Sequence, residues 1–66
     1  MKFSEKVKTV RMKLLLSQEA LSKEIGVSFA TINRWENGEN EPQLIQQAKF
    51  NSFCEKNDIV FDDNKK

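Results

Sequence analysis

The sequence predicts an all-α domain of four short helices, and two observations carry that prediction. Apolar residues recur at the three- and four-residue spacing of a helix face, while small polar residues, two glycines and one proline stand where such stretches would begin and end. In the first stretch Val7, Val10 and Leu14 fall at i, i+3 and i+7 and Ser4 can act as an N-cap, so residues 4 to about 15 read as an amphipathic helix. Arg11, four residues after Val7, lies on the apolar face, where an unpaired charge is costly and a carboxylate partner is expected.

Ser17 precedes Gln18-Glu19-Ala20-Leu21, a capping residue followed by an acidic first turn, and Gly26 supplies a left-handed stop after Ile25. That defines a second helix of about two turns. Ser28 can cap a third over Phe29 to Asn37, closed by Asn37-Gly38, with only Gly26-Val27-Ser28 between the two helices. Pro42 pushes the residue before it away from helix and suits the first turn of a fourth, which runs to about Asn57. The fourth helix has Leu44, Ile45, Ala48 and Phe53 as its apolar set, with Phe50 and Cys54 beside them, a band broader than a clean stripe and interrupted by Lys49. The predicted domain covers residues 1–58, and residues 59–66 form a short apolar segment, Ile59-Val60-Phe61, with a polar C-terminal tail.

Composition narrows the function. A 66-residue chain with 38% hydrophobic and 32% charged residues is one small domain, and at this length only roughly 60% of the unfolded chain's surface is buried, so stability is modest. Cys54 is alone and there is no His, which leaves no internal disulfide and no metal site of the usual Cys/His kind; neither metal nor cofactor is expected. With no His base, no Tyr and only Gly26 and Gly38, there is no phosphate-cradling loop, and an enzyme is not expected. The longest apolar runs, Leu14-Leu15-Leu16 and Ile59-Val60-Phe61, fall far short of the ~20 residues that span a bilayer, so no membrane partner is expected. The first residues hold no apolar signal core, and a lone Cys without one fits a cytoplasmic location. A net charge of +1 gives little long-range attraction to nucleic acid, so any such binding depends on where the charges sit.

Two short helices joined by a tight, glycine-containing turn have the geometry of a helix-turn-helix. On a wheel at about 100° per residue with Ile32 inward, Ser28, Trp35 and Glu36 fall within about 60° of it, Ala30, Asn33, Arg34 and Asn37 point away, and Phe29 lies on the border. The outward face of the third helix thus carries small, amide and guanidinium groups and no acid.

Ser17-Gln18-Glu19, Gly26-Val27-Ser28, Thr31-Ile32-Asn33-Arg34-Trp35-Glu36-Asn37-Gly38 and Pro42 together resemble the phage-repressor and Cro family of helix-turn-helix proteins, over residues 11 to about 54. The resemblance implies a compact, four- to five-helix, lambda-repressor-like domain that places its third helix in the major groove of double-stranded DNA. It also implies roles. Gln18 matches a residue that bonds phosphate and braces a base-reading side chain, and Asn37 matches one whose amide meets phosphate beyond the third helix; Thr31 and Asn40 complete the expected phosphate contacts. Phe29, Ala30, Asn33 and Arg34 occupy base-reading positions, with Arg34 suited to guanine, Asn33 to adenine, and Phe29 with Ala30 to thymine methyls. Arg11 and Glu36 match the family's partly buried ion pair.

Plainer roles stand beside these. Arg34 could be a solvated charge, Phe29 could close the core between the second and third helices, Ala30 could be only a helix former, and Gln18 and Asn37 could be capping and turn residues. Trp35, Ile32, Leu21, Ile25 and Val10 are assigned to the core, and Cys54 to an inert, partly buried position.

Three positions depart from the family pattern. The loop after Gly38 reads Glu39-Asn40-Glu41 where basic residues are usual, and from Gln18 to Glu41 there are two basic residues against five acidic ones. That weakens the counterion-release contribution to DNA binding, with Lys2, Lys6, Lys8 and Lys13 as possible compensation, and makes binding as a dimer the expectation. Leu15 stands where the family often ends its first helix with Gly. No fifth helix is evident, and Ile59-Val60-Phe61 could pair across a two-fold axis as a homodimer contact, dock on its own core, or mark the cut end of a longer chain. The expected function is sequence-specific DNA binding by a small bacterial or phage transcriptional regulator, most simply a repressor. The alternative is a protein-interaction module, antitoxin-like or part of an anti-repressor, with a protein partner and little DNA affinity.

Overall fold

A computed structural model describes residues 2–38 and 42–61. Among them are four helices and no strand: α1 Phe3–Lys13, α2 Gln18–Ile25, α3 Phe29–Asn37 and α4 Leu44–Lys56. Helix α3 is the central element, packed against both α1 and α2, while α4 closes the core from the α2 side. Val7 and Val10 from α1, Leu21 and Ile25 from α2, Ile32 and Trp35 from α3 and Phe50, Phe53 and Cys54 from α4 are buried together. Fully burying a side chain such as Phe50, Leu21 or Ile32 contributes about 1.5–3 kcal/mol, so this shared interior outweighs any surface contact in holding the helices in place.

Helix α1 starts at Phe3 with Lys2 as its cap residue, so Ser4 is not the N-cap expected from the sequence. Phe3 explains the shift. Its ring meets Trp35 edge-on at 5.2 Å and Phe50 at 5.0 Å, which draws the chain's beginning onto the core, and Glu5 Oε1 accepts the Lys2 backbone N–H at 3.3 Å.

Three helices end in the same way. After α1, Leu15 N–H donates to Met12 O and Leu16 N–H to Arg11 O, and Leu15 itself sits at φ 56°, in the left-handed region. After α4, Asp58 N–H donates to Glu55 O and Ile59 N–H to Cys54 O, with Asp58 at φ 59°. After α2, Val27 N–H donates to Ser22 O, with Gly26 at φ 92°. Each is a Schellman-type cap, in which a left-handed residue reverses the chain and the next residue packs back on the helix. In all three the returning residue is apolar: Leu16 and Val27 lie half-buried against the core, and Ile59 is buried in it. The first helix therefore stops at Lys13, before the expected residue 15, because Leu15 takes the left-handed position itself.

Helix α4 differs most from expectation. Its cap residue is Gln43, so Pro42 precedes the helix; it is buried, and its carbonyl accepts from Gln47 Nε2 at 3.1 Å. Leu44, Ile45 and Ala48 are exposed, Leu44 by 78% and Ile45 by 66%, although the sequence suggests them as part of the apolar set. Phe50, Phe53 and Cys54, at i, i+3 and i+4, define the buried arc, and Leu44 and Ile45 each lie roughly 130° from its centre at about 100° per residue. Burial pushes the Cys54 thiol above its ordinary pKa, against a smaller opposing pull from Lys6, so the sulfur is a neutral, inert hydrophobe.

Candidate nucleic-acid interface

The α2–turn–α3 unit is fixed at each of its ends. Ser17 Oγ accepts the Ala20 N–H at 3.0 Å and Gly26 terminates α2 in the left-handed conformation. Ser28 Oγ accepts the Thr31 N–H at 3.1 Å, and Gly38 at φ 72° ends α3. Ser28 lies near the inward direction on the wheel, but as a cap residue it sits outside the helix and is exposed. Thr31 is half-buried, and its Oγ1 shares a hydrogen bond with Ser28 Oγ at 2.9 Å, which ties the hydroxyl expected to meet phosphate to the start of α3.

On the outward face of α3, Ala30, Asn33, Arg34 and Asn37 are all exposed, while Ile32, Trp35 and Glu36 are buried. Phe29 is 51% exposed and absent from the core cluster, so its ring borders the outward face and does not close the interior between α2 and α3. Arg34 carries no ion pair among the described residues. Asn40, expected among the phosphate contacts, lies outside the described residues, as do Glu39 and Glu41.

Glu36 is the acid of α3 and it faces inward, with a side chain only 5% exposed. Arg11 Nε donates to its Oε2 at 2.7 Å and Arg11 Nη2 to its Oε1 at 3.0 Å, a two-pronged pairing suited to the planar guanidinium. Gln18 Nε2 donates to the same Oε1 at 3.1 Å. The remaining Arg11 fork contact runs from Nη1 to the Leu16 carbonyl at 3.4 Å, in the turn between α1 and α2. Burial raises the Glu36 pKa, but the hydrogen bonds from Arg11 and Gln18, with the charges of Arg11 and Lys8, outweigh it and hold the carboxyl below the usual range. The Arg11 guanidinium is in turn raised, chiefly by its hydrogen bond to Glu36 and against its own desolvation.

Chemically, this network brings α1, the first turn, the start of α2 and the end of α3 to one carboxylate. The Gln18–Glu36 link was not anticipated from the sequence. The inward position of Glu36 on the wheel calls for donors, but Arg11 alone supplies one to each oxygen, so nothing in the sequence singles out Gln18 as a third. Because its nitrogen faces Glu36, Gln18 keeps one amide hydrogen for a second acceptor.

A family model described as Helix-turn-helix matches residues 7–46, and the chain belongs to this Cro/C1-type helix-turn-helix family. No curated protein and no solved structure matches the chain. The family is one of DNA-binding transcription regulators and not of enzymes. Among the described residues no helix is long and apolar enough to cross a membrane.

Proposed function

We propose that this protein binds double-stranded DNA sequence-specifically in the cytoplasm and represses transcription by occupying its operator. The observation that carries the reading is the outward face of α3, where Ala30, Asn33, Arg34 and Asn37 are exposed together and the helix's one carboxylate is turned inward and neutralised. Laid in the major groove, that face sets Arg34 against guanine O6 and N7 and Asn33 against an adenine edge, with Phe29 and Ala30 against thymine methyls. Gln18, Thr31 and Asn37 are the phosphate contacts in this reading, and the bond from Gln18 Nε2 to Glu36, which leaves one amide hydrogen for a further acceptor, supports that role for Gln18. A two-fold dimer would place two copies of α3 on half-sites about 10 bp apart. Of Ile59-Val60-Phe61, Ile59 is buried in its own core and Phe61 half-buried, so among the described residues a homodimer contact through the C-terminal segment would rest on the exposed Val60.

The test is selection from a randomised duplex library at low salt, run with the protein and with Arg34→Ala. A recovered motif in which the variant loses preference at one guanine, by the ~1–3 kcal/mol of a bidentate contact, supports the reading. Absence of enrichment, or enrichment indifferent to Arg34, overturns it.

A further inference from the structure

Between the C-terminal half of α2 and α4 runs a groove of about 400 Å³. Its apolar lining comes from Ile25, Ile45, Ala48 and Phe53, and its rims are charged, Lys49 and Lys56 on the α4 side and Glu24 on the α2 side. Ile45, Lys49, Ser52 and Lys56 follow i, i+4, i+7 and i+11, so they form one stripe along α4, with the two lysines two helical turns, about 10 Å, apart. Neither lysine has an ion pair among the described residues. Ile45, 66% exposed, leaves a large apolar side chain in solvent at the groove, where the buried arc of α4 has no use for it.

An open groove with an apolar lining, two lysines along its α4 edge and one carboxylate on its α2 edge matches the mode in which an amphipathic helix lays its apolar face into a partner. We propose that the α2–α4 groove docks a helix of a different protein, whose apolar stripe fills the groove and whose edge beside α4 carries two carboxylates about two turns apart. A second copy of this chain fits less well, because two-fold pairing across the stripe sets the lysine-bearing edge of α4 against itself. The groove uses no residue of the outward α3 face and not Gln18, so a docked helix leaves the proposed DNA surface uncovered, and the inference stands whether or not DNA is the second ligand.

The test uses two helical peptides with the same leucine stripe, one edged by two glutamates two turns apart and one by two lysines at those positions. Each is titrated into the isotope-labelled full chain, and backbone amide shifts are followed. The glutamate peptide is expected to shift Ile25, Ile45, Lys49, Ser52 and Phe53 and to bind about tenfold more tightly than the lysine peptide, the size expected from exchanging two part-exposed attractive pairs for repulsive ones. Lys49→Glu combined with Lys56→Glu reverses that order, and Ile45→Ser weakens both peptides. Equal affinity of the two peptides, shifts confined to α1 or α3, no shifts at all, or self-association that Ile45→Ser abolishes would each overturn the proposal. All three substitutions lie at exposed positions, and if a variant fails to fold, the comparison of the two peptides on the unaltered chain decides alone.

Discussion

Leu15 holds a left-handed conformation, φ 56°, while 90% exposed, so its side chain contributes almost nothing to packing and its Cβ is a net cost. Placing an L-residue there costs about 1–2 kcal/mol, because Cβ crowds the following carbonyl oxygen. Leu15→Gly removes that cost and, in exchange, gives the unfolded chain more freedom, a loss of about 0.5–1 kcal/mol. The Schellman-type bonds from Leu15 and Leu16 to Met12 and Arg11 use only backbone atoms and survive the change. The balance is a stabilisation of about 0.5–1 kcal/mol, and with about 4–8 °C per kcal/mol for a domain of this size, Tm should rise by roughly 2–8 °C. Thermal unfolding followed by far-UV circular dichroism measures it, with Leu15→Ala as the control. Alanine keeps Cβ and therefore the strain, so its Tm should stay at or below that of the parent. If glycine gives no rise, or alanine gives the same rise, then left-handed strain at residue 15 is not what limits this turn.

Other expected outcomes follow from the buried network and the C-terminal cap. Glu36→Gln leaves the Arg11 guanidinium facing a neutral amide; since Arg11 is 26% exposed, the loss in urea unfolding should be about 2–3 kcal/mol, below the ~3–5 of a fully buried pair. Replacing both partners, Arg11→Met with Glu36→Leu, should be nearly neutral in the same assay while weakening duplex binding, because Gln18 loses its acceptor. The Glu36 pKa is lowered on folding, so its contribution is complete above the unfolded carboxyl value of ~4.3 and is lost as pH falls through the lower folded value. Tm should therefore drop below about pH 4, and a Glu36→Gln variant with the same acid slope would refute that assignment. Ile59→Ala should cost about 2–4 kcal/mol in denaturant midpoint, as expected for a core position, whereas Val60→Ala, at an exposed site, should cost almost nothing.

The helices whose limits can be read from the sequence are those whose punctuation is chemical. Ser17 with Gly26 and Ser28 with Gly38 bracket α2 and α3 at the residues observed, since a hydroxyl at one end and a left-handed glycine at the other are written in residue type. Helix α4 closes within a residue of the expected Asn57, with Asp58, a residue type that tolerates the left-handed region, in the glycine role; α1 uses the same backbone geometry with Leu15 there, and its residue type gives no sign of it. That is why α1 reads two residues too long. The apolar count of α4 misleads for a different reason: periodicity says which residues share a face, but not how wide an arc the neighbours cover, and here the neighbouring elements, Phe3 of α1 among them, cover only the arc of Phe50, Phe53 and Cys54. At the site, the outward face of α3 is legible because it follows from helical spacing alone. The bond from Gln18 to Glu36 is not, because it joins residues 18 apart on two helices and exists only once their packing is set.

That bond also changes how the acidic residues between Gln18 and Glu41 bear on the proposed function. A carboxylate exposed on α3 would repel phosphate, yet Glu36 is buried, held ionised by Arg11, and bonded to the uncharged amide of Gln18. On α3 the charge left to face solvent is Arg34. Under the proposed function, amide contacts from Gln18 and Asn37 release few counterions, and each cation that does neutralise a phosphate contributes a slope of only about 0.9 in log K against log salt. Affinity should consequently depend on salt less steeply than in a strongly basic regulator, and a larger share of it should come from base contacts. A steep salt dependence that disappears when Lys2, Lys6, Lys8 and Lys13 are changed to Gln, while Arg34→Ala has little effect, would instead assign the binding energy to α1 and remove α3 from the central role given to it here.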